Sequence, residues 1–141
     1  MAAAVLVVDQ LTKQWALSAL ADGPIELFGA VRLLLTFNSA GAFGLGGAAV
    51  PFLAVAALGL VVFMASSGTM TRSPLLATAV GLVLGGAFGN VADRLFRGRG
   101  WLQGAVVDFI DVGPWPVFNV ADTAITCGCV LLVWAGWRVK D

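Results

Sequence analysis

The sequence predicts an all-α membrane protein with four transmembrane helices and a small extended, β-like subdomain at one side of the membrane. Of the 141 residues, 60% are hydrophobic and only 11% are charged, which lies outside the usual balance of soluble domains. The apolar residues form four stretches, each close to the roughly 20 residues that a spanning helix needs. The length suits one domain, over 1–141. Eight acidic against eight basic residues give no electrostatic reason to expect nucleic acid as a partner.

The four apolar stretches define the predicted helices, approximately 1–20, 46–67, 74–94 and 117–137. The first contains Asp9, Gln10 and Lys13, which a simple cleaved signal peptide would not carry inside its apolar region. We therefore interpret it as a spanning helix. The second stretch carries no charge, and Arg72 and Pro74 mark a turn into the third, so these two are expected to form a helical hairpin.

Two connecting segments are rich in β-branched and aromatic residues and are too short to span a membrane. One lies within 21–45 and contains the run 31–38, and the other covers 104–112. Their composition favours short extended pieces at the membrane interface. Because successive spanning helices reverse direction, both segments are expected on one side of the membrane, opposite the turn near Arg72, where they can meet. The basic residues in the loops do not decide which side faces the cytoplasm.

The absence of histidine removes several catalytic chemistries. It excludes Ser-His-Asp and Cys-His nucleophiles and the HExxH zinc site. Cys127 and Cys129 are two positions apart in an apolar run, so on a helix they point to different faces and cannot pair. We interpret them as small packing residues. We expect no metal and no cofactor, and carboxylate, amide, hydroxyl and guanidinium groups remain for any chemistry.

Charged residues inside the predicted spans are functional candidates, because each costs about 2.5 to 3.5 kcal/mol on insertion scales. Asp9 and Lys13 are four positions apart with the acid first, the favoured order for a helical ion pair, and a purely structural pair is the alternative. A polar stripe with spacing i, i+3, i+4 and i+7 ends the third stretch, and it would equally suit a helix end that reaches water. The stripe consists of Asn90, Asp93, Arg94 and Arg97.

Two further acids are candidates for proton transfer. Asp122 lies three positions after Asn119 with no basic residue nearby, so we expect it to retain its proton more readily. A carboxylate favoured by the helix dipole is the alternative. Asp108 lies in an apolar extended run, unlike an ordinary loop acid. Peptide hydrolysis by two carboxylates needs one ionised and one protonated, but spacing alone does not distinguish Asp108 and Asp122 from Asp93 or Asp111.

Five motifs, in order along most of the chain, resemble those of the lipoprotein signal peptidase (signal peptidase II) family. Any one of them is a weak signal, whereas five in the same order are highly specific. They are VDQLTK at 8–13, similar to D-x-x-[ST]-K; FNSAGAF at 37–43, similar to N-x-G-x-A-F; GGAFGNVADR at 85–94, similar to G-x-x-x-N-x-x-D-R; VVDF at 106–109, similar to V-x-D-F; and FNVAD at 118–122, similar to F-N-x-A-D.

The resemblance implies a four-helix bacterial membrane aspartyl endopeptidase that removes the signal peptide from prolipoproteins by cleaving before a diacylglyceryl-modified cysteine. The family's catalytic aspartates carry over to Asp108 and Asp122. Residues implied to line or orient the site are Asn38, Asn90, Arg94 and Asn119, with Arg94 a hydrogen-bonding partner for the substrate backbone. Residues implied to hold the scaffold together are Asp9, Lys13 and Asp93.

The resemblance also implies a location. It places the chain in the cytoplasmic membrane as a multi-pass protein with both termini in the cytoplasm, the extended subdomain on the periplasmic side and the active site toward the outer leaflet. The expected partners are diacylglyceryl-modified prolipoproteins and membrane lipid, and we expect a monomer.

The chain departs from the family's pattern at two places. Ala40 stands where the family has glycine, and Gly41 follows one position later. If that glycine needs a positive φ angle, the backbone here must be rearranged. The stretch 95–105 is longer than usual, and the stretch between Asp108 and Asp122 is shorter.

Two functions of other classes fit parts of the pattern. A small transporter would use intramembrane Asp, Asn and Arg along a polar path to both sides of the bilayer, whereas here the polar residues gather toward one side. A purely structural subunit would place small residues such as Gly81 and Gly85 at helix contacts without needing the acids. Replacing the acids by amides distinguishes the two cases, because an enzyme would lose its activity whereas a structural subunit would not need the acids.

Overall fold

The computed structural model describes residues 1–39, 59, 73–98 and 100–138. In chain order its elements are helix α1 (Ala2–Ala19), strands β1 (Ile25–Phe28) and β2 (Val31–Asn38), helix α2 (Pro74–Phe96), strand β3 (Val106–Asp111) and helix α3 (Val120–Arg138). The three helices fall on the predicted stretches 1–20, 74–94 and 117–137. The predicted helix 46–67 lies outside the described residues apart from Gly59, as do Ala40 and Gly41.

Helix α2 is the most apolar of the three. Among the described residues it is the one helix long and apolar enough to cross a membrane, with a mean hydropathy of 1.8. A shorter apolar helical run covers Val120–Ala135 of α3. The start of α2 follows from its sequence, because the Ser73 side chain accepts a hydrogen bond from the Leu76 N–H at 3.5 Å and Pro74 occupies the first turn, where its missing N–H leaves no bond unmade.

The three strands form an antiparallel sheet in the order β1, β2, β3. The small extended subdomain predicted from 21–45 and 104–112 is therefore present, and β2 coincides with the run 31–38. Strand β1 lies within the predicted segment 21–45 but outside the run 31–38, and its four residues, all exposed, are too few to show a clear alternation. Gly29, with a φ of 55°, makes the turn between β1 and β2.

The sheet register places two acids at different positions along β3. Asp108 lies opposite Thr36 and Asp111 opposite Arg32. Beyond β3 the chain returns at once, and Phe118 bridges back to Ile110 before α3 begins. The sheet also joins the helices through an apolar cluster that contains Ala16, Leu20 and Phe109. The strand with the two acids is therefore held against the helices.

Glycines allow the helices to approach one another closely. A Cβ atom added at Gly85 in α2 would lie 2.6 Å from the Ala2 carbonyl oxygen and 2.6 Å from Val5 Cβ, both in α1. A Cβ at Gly86, on the next position of α2, would meet the Ala121 carbonyl oxygen of α3. Small residues at such contacts let helix backbones pack tightly in membranes.

The interpretation of the two cysteines as packing residues is wrong. Cys127 and Cys129 are both exposed, because they lie on faces of α3 that turn away from the other described elements. An apolar sequence around a helix does not reveal which face is covered when the surrounding solvent is lipid.

Replacing Gly86 by alanine should destabilise the protein. In an open helical position, glycine-to-alanine stabilises by about 1 kcal/mol through backbone entropy. At Gly86 the added methyl group would meet a backbone oxygen and would lie 2.8 Å from Ile125 Cγ1, so the helices must move apart. We expect a lower melting temperature in detergent for Gly86→Ala. The matched control is Gly59→Ala, where a Cβ meets nothing within 4 Å, and it should melt at or above the wild-type temperature. A Gly86→Ala protein as stable as this control would contradict the proposed close contact.

Candidate active site

Buried polar side chains meet where the helices contact β3. Asp9, Lys13, Asp93 and Asn119 are fully buried, and Asp108 is 3% exposed. Within the described part of the chain, each buried side-chain nitrogen or oxygen has a hydrogen-bond partner. Burying such groups without partners would cost several kcal/mol each, so these contacts determine how the elements fit together.

Lys13 is the centre of a buried charge cluster. Its Nζ atom lies 2.9 Å from Asp9 Oδ2 and 2.9 Å from Asp93 Oδ2, so the helical pair expected from the sequence is present and is joined by an acid from α2. Asp9 also accepts a hydrogen bond from the Ala121 N–H at 2.9 Å, and Asp93 accepts one from the Val107 N–H at 3.1 Å. The cluster therefore ties α1, α2, β3 and α3 together at one point.

Asn119 and Asp122 build the start of α3. The Asn119 side-chain oxygen accepts a hydrogen bond from the Asp122 N–H at 2.9 Å, and Asp122 Oδ2 accepts one from the Asn119 N–H at 3.3 Å. This is the reciprocal arrangement of a capping box, which satisfies N–H groups left unpaired at a helix start. The pattern Asn-x-x-Asp thus fixes the backbone on which Asp122 stands.

Two asparagine amides connect the candidate carboxylates. Asn119 Nδ2 donates to Asp108 Oδ1 at 2.6 Å, and Asn90 Nδ2 donates to Asp122 Oδ1 at 2.8 Å. Asn119 Nδ2 also lies 3.2 Å from Asn90 Oδ1. The structure thus brings Asp108, Asp122, Asn90 and Asn119 into one hydrogen-bonded unit, although they come from three separate elements.

Asp108 is poised to gain or lose a proton near neutral pH. Burial and the charge of Asp122 raise the pKa of the Asp108 carboxyl to about 6, while hydrogen bonds from Asn119 and Asn38 act in the opposite direction. Asn38, predicted from the sequence to support the site, is therefore at the carboxyl of Asp108. Such a pKa allows the group to hold or release a proton at the pH of the cell.

Asp111 is in a different environment on the same strand. Its Oδ2 atom lies 2.6 Å from Arg32 Nε, and its Oδ1 atom accepts a hydrogen bond from the Gly113 N–H at 2.9 Å. The Gly113 N–H and the Arg32 guanidinium hold the pKa of Asp111 below its usual range. Asp93 likewise has cations in direct contact, Lys13 and also Arg97, whose Nε lies 2.8 Å from Asp93 Oδ1. The contacts therefore distinguish Asp93 and Asp111, which are paired with cations, from Asp108 and Asp122, which are held by amides. The spacing in the sequence did not distinguish them.

Arg94 and Gln10 are two further polar residues of this region. Arg94, expected from the family pattern to contact the substrate backbone, is 6% exposed, and its carbonyl oxygen accepts a hydrogen bond from the Gly104 N–H at 2.9 Å. Gln10 was not among the predicted site residues, yet its amide donates to Asp93 Oδ1 and to the Gly89 carbonyl oxygen, both at 3.1 Å. Its position beside Asp9 inside an apolar stretch is the signal in the sequence that could have identified it.

Among the described residues, no group of three or more His, Cys, Asp or Glu side chains has the arrangement of a metal site.

Comparison with known proteins gives a consistent result. Residues 1–138 match the sequence profile of a family described as Signal peptidase (SPase) II. A lipoprotein signal peptidase of Rhodococcus jostii (strain RHA1) is 47% identical over 134 residues, covering 94% of this chain and 68% of that protein. A lipoprotein signal peptidase of Mycobacterium avium (strain 104) is 44% identical over 134 residues, covering 94% of this chain and 74% of that protein.

Solved structures resemble the fold. One, described as a bacterial membrane enzyme, superposes with a TM-score of 0.81 at 24% identity and covers 99% of this chain and 87% of its own. A second, with the same description, superposes with a TM-score of 0.77 at 26% identity and covers 95% and 88%. The fold of the described elements is therefore that of bacterial membrane enzymes.

The Asp108 carboxyl should make stability depend on pH in a definite direction. In the folded state Asp108 keeps its proton up to about pH 6, whereas the ordinary pKa of its carboxyl group is 3.8. Between these two pH values the folded state therefore binds more protons than the unfolded state. Its contribution therefore favours folding at low pH and is lost as pH rises from about 4 to about 6. Asp108→Asn should remove that loss, so at neutral pH its free energy of unfolding should exceed that of wild type by on the order of 2 kcal/mol. Its melting temperature should be higher accordingly.

The comparison is made between melting curves of wild type and Asp108→Asn in detergent across this pH range. Asp111→Asn is the control and should show no such gain at neutral pH, because the pKa of Asp111 is lowered rather than raised. Parallel pH dependences for wild type and Asp108→Asn would contradict a raised pKa at Asp108.

Proposed function

The chain belongs to the signal peptidase II family, and from this premise we propose that it is an aspartyl endopeptidase that cleaves prolipoproteins before the diacylglyceryl-modified cysteine. The observation that carries the proposal is the unit in which Asn119 binds Asp108 at 2.6 Å and Asn90 binds Asp122 at 2.8 Å. Neither acid has a described ion pair, whereas Asp9, Asp93 and Asp111 each contact a cation. Acids held by amides can change protonation without breaking an ion pair.

The proposed reaction uses one ionised and one protonated carboxyl group. The ionised carboxylate accepts a proton from water as the water oxygen attacks the carbonyl carbon of the scissile peptide. The protonated carboxyl donates a hydrogen bond to the carbonyl oxygen and stabilises the negative charge that develops there. The C–N bond then breaks, and the leaving amine nitrogen takes a proton from the dyad formed by Asp108 and Asp122. The oxygen atom of the water remains in the carboxyl group of the other product.

Proximity of the two acids supports the split protonation state. Like charges close together cannot both ionise cheaply, and the charge of Asp122 is one of the two causes that raise the pKa of Asp108 to about 6. The pair then titrates as a unit, with two pKa values that belong to the dyad rather than to either residue.

The remaining predicted residues have supporting roles in this proposal. Asn90 and Asn119 donate to one oxygen of each carboxyl group and fix its orientation. Asn38 supports Asp108 from β2, the neighbouring strand. Arg94, although buried, stands one residue after Asp93 at the end of α2, and we propose that it binds the substrate backbone. Asp9, Lys13 and Asp93 hold the scaffold through their ion pairs.

Exposed aromatic residues support a position of the site at the membrane surface. Phe28, Trp101 and Trp115 are 73%, 71% and 59% exposed, and all three belong to the sheet or to loops at the sheet end of the helices. Aromatic side chains concentrate at the boundary between lipid and water. We propose that this end lies in the outer leaflet, where the diacylglyceryl group of the substrate would be anchored.

Replacing either acid of the dyad by asparagine should abolish cleavage. Asp108→Asn and Asp122→Asn keep the size and most hydrogen bonding of the side chain but cannot cycle a proton. Each should reduce turnover of a lipidated prolipoprotein by about 10⁴-fold or more, and the double variant should be little worse than either single variant, because groups that act in one step are non-additive. Product is measured by the mobility shift on removal of the signal peptide.

Asp111→Asn is the matched control, an identical change on the same strand. It removes a partly exposed ion pair with Arg32, a kind of pair that contributes little to stability, and should retain most activity. If Asp111→Asn were inactive while Asp108→Asn still cleaved, the dyad would be assigned to the wrong residues. Equal cleavage of a lipidated and an unlipidated prolipoprotein by the wild type would refute recognition of the lipid.

The proposed topology has both chain ends in the cytoplasm. Reporter domains fused before Met1 and after Asp141 should both be protected in intact cells and react only after the membrane is opened. Labels on opposite faces would rule out an even number of spans. A cysteine introduced at Trp115 provides the reference, because the proposal places that position on the outer side, accessible to an impermeant thiol reagent in a background with Cys127 and Cys129 replaced.

A further inference from the structure

Lys13 contacts more than its two acid partners. Besides lying 2.9 Å from Asp9 and from Asp93, its ammonium donates a hydrogen bond to Asn90 Oδ1 at 3.0 Å. Asn90 in turn donates to Asp122 Oδ1. A single amide therefore separates this buried charge from the proposed dyad, and the inference below rests on the proposed function of Asp108 and Asp122.

The orientation of the Asn90 amide is determined by its donors. An asparagine side chain has an accepting oxygen and a donating nitrogen of similar size, and the two can exchange by rotation. Here the oxygen faces two donors, Lys13 Nζ at 3.0 Å and Asn119 Nδ2 at 3.2 Å. Rotation would place the NH₂ group against a buried ammonium and a second NH₂ group, with no acceptor for either.

The second amide is held in the same sense. The Asn119 oxygen accepts from the Asp122 N–H at 2.9 Å, which leaves its nitrogen to donate to Asp108 Oδ1 at 2.6 Å. Donation therefore runs from Lys13 through Asn90 to Asp122, while the Asn119 amide donates both to Asn90 Oδ1 and to Asp108 Oδ1. Removing Lys13 leaves Asn119 Nδ2 as the remaining described donor to the Asn90 oxygen.

The geometry points to Lys13 as a positioning residue for catalysis: its ammonium fixes the Asn90 amide so that Nδ2 donates to Asp122, and thereby holds the dyad in its reactive arrangement. This role is distinct from holding the helices together, which Lys13 also does through Asp9 and Asp93. Misplacement of a reacting group by about 1 Å costs on the order of 10²-fold in rate, so a fixed amide matters for turnover.

Lys13 also contributes its charge. The charged groups around it are Asp9 on its own helix, Asp93 and Arg97 on α2, Asp108 on β3 and Asp122 on α3. Its positive charge lowers the pKa of Asp108 against the opposing effects of burial and of Asp122. Because the charge of Asp122 raises the pKa of Asp108, Asp108 releases the second proton of the pair. Loss of Lys13 should therefore move the alkaline limb of the pH profile to higher pH.

The test removes Lys13 without leaving two buried acids facing each other. Lys13→Met alone leaves Asp9 without a described ion-pair partner and Asp93 with Arg97 alone, and we expect this buried charge to destabilise the protein. The informative protein is the double variant Lys13→Met with Asp93→Asn, compared with Asp93→Asn alone. We expect the double variant to fold, judged by its melting curve, and to lose about 10²-fold in kcat relative to Asp93→Asn with KM little changed. The alkaline limb of its profile of kcat against pH should lie at higher pH than that of Asp93→Asn.

Arg97→Met is the matched control. Arg97 also pairs with Asp93, at 2.8 Å, but none of its described contacts reaches Asn90. Its replacement should leave kcat and the pH profile close to wild type. A double variant with the kcat and pH profile of Asp93→Asn would overturn the positioning role and leave Lys13 a scaffold residue. Failure of the double variant to fold where Asp93→Asn folds would also overturn it.

The dyad variants separate this inference from the proposed function. If Asp108→Asn or Asp122→Asn retained cleavage, the proposed function would fail whatever the Lys13 variants showed. If both were inactive while the Lys13 double variant matched Asp93→Asn, the dyad would stand and only the positioning role of Lys13 would fail.

Discussion

The buried ion cluster around Lys13 is the constraint on which the rest of the described structure depends. An ammonium group with no exposure is tolerated in an apolar protein only if opposite charges and hydrogen-bond acceptors surround it. Asp9 meets this need from the same helix and Asp93 from α2. The acids reach on to backbone N–H groups of Ala121 and Val107, so satisfying one charge determines where β3 and α3 must lie. Gly85 and Gly86 permit the close approach that these short contacts require.

The same network explains why acids of similar sequence context have different chemistry. Asp93 and Asp111 contact cations directly, and a carboxylate so paired stays ionised. Asp108 and Asp122 contact asparagine amides instead, so their charge is stabilised less and depends on what the neighbouring acid carries. The structure thus divides these acids into those paired with cations and those held by amides, and we propose that the second group exchanges a proton. A transporter would need polar groups along a path to both membrane surfaces, whereas the described polar cluster gathers at the sheet end of the helices.

Much of this arrangement was accessible from sequence, and the remainder depends on contacts between distant segments. Apolar length predicted where α1, α2 and α3 lie, and β-branched composition predicted β2 and β3. Helical spacing predicted the pairing of Asp9 with Lys13, but not that Asp93 joins it, because no local pattern reveals which faces of two helices meet. Strand β1 lies within the predicted segment 21–45 but was not distinguished in it, because four residues are too few for a clear alternation. The interpretation of Cys127 and Cys129 as packing residues was wrong because the lipid-facing and the packed faces of a membrane helix have similar compositions.

The central claim is that Asp108 and Asp122 share a proton at the pH where the enzyme works. Infrared difference spectra of the carboxyl stretching band, taken between wild type and the variant with both acids changed to asparagine, count the protons on this pair directly. Titrated from about pH 4 to about pH 8, the wild-type pair should lose its protons in two separated steps, with one proton held between them. Loss of both protons in a single step near the ordinary pKa of aspartate would contradict the account.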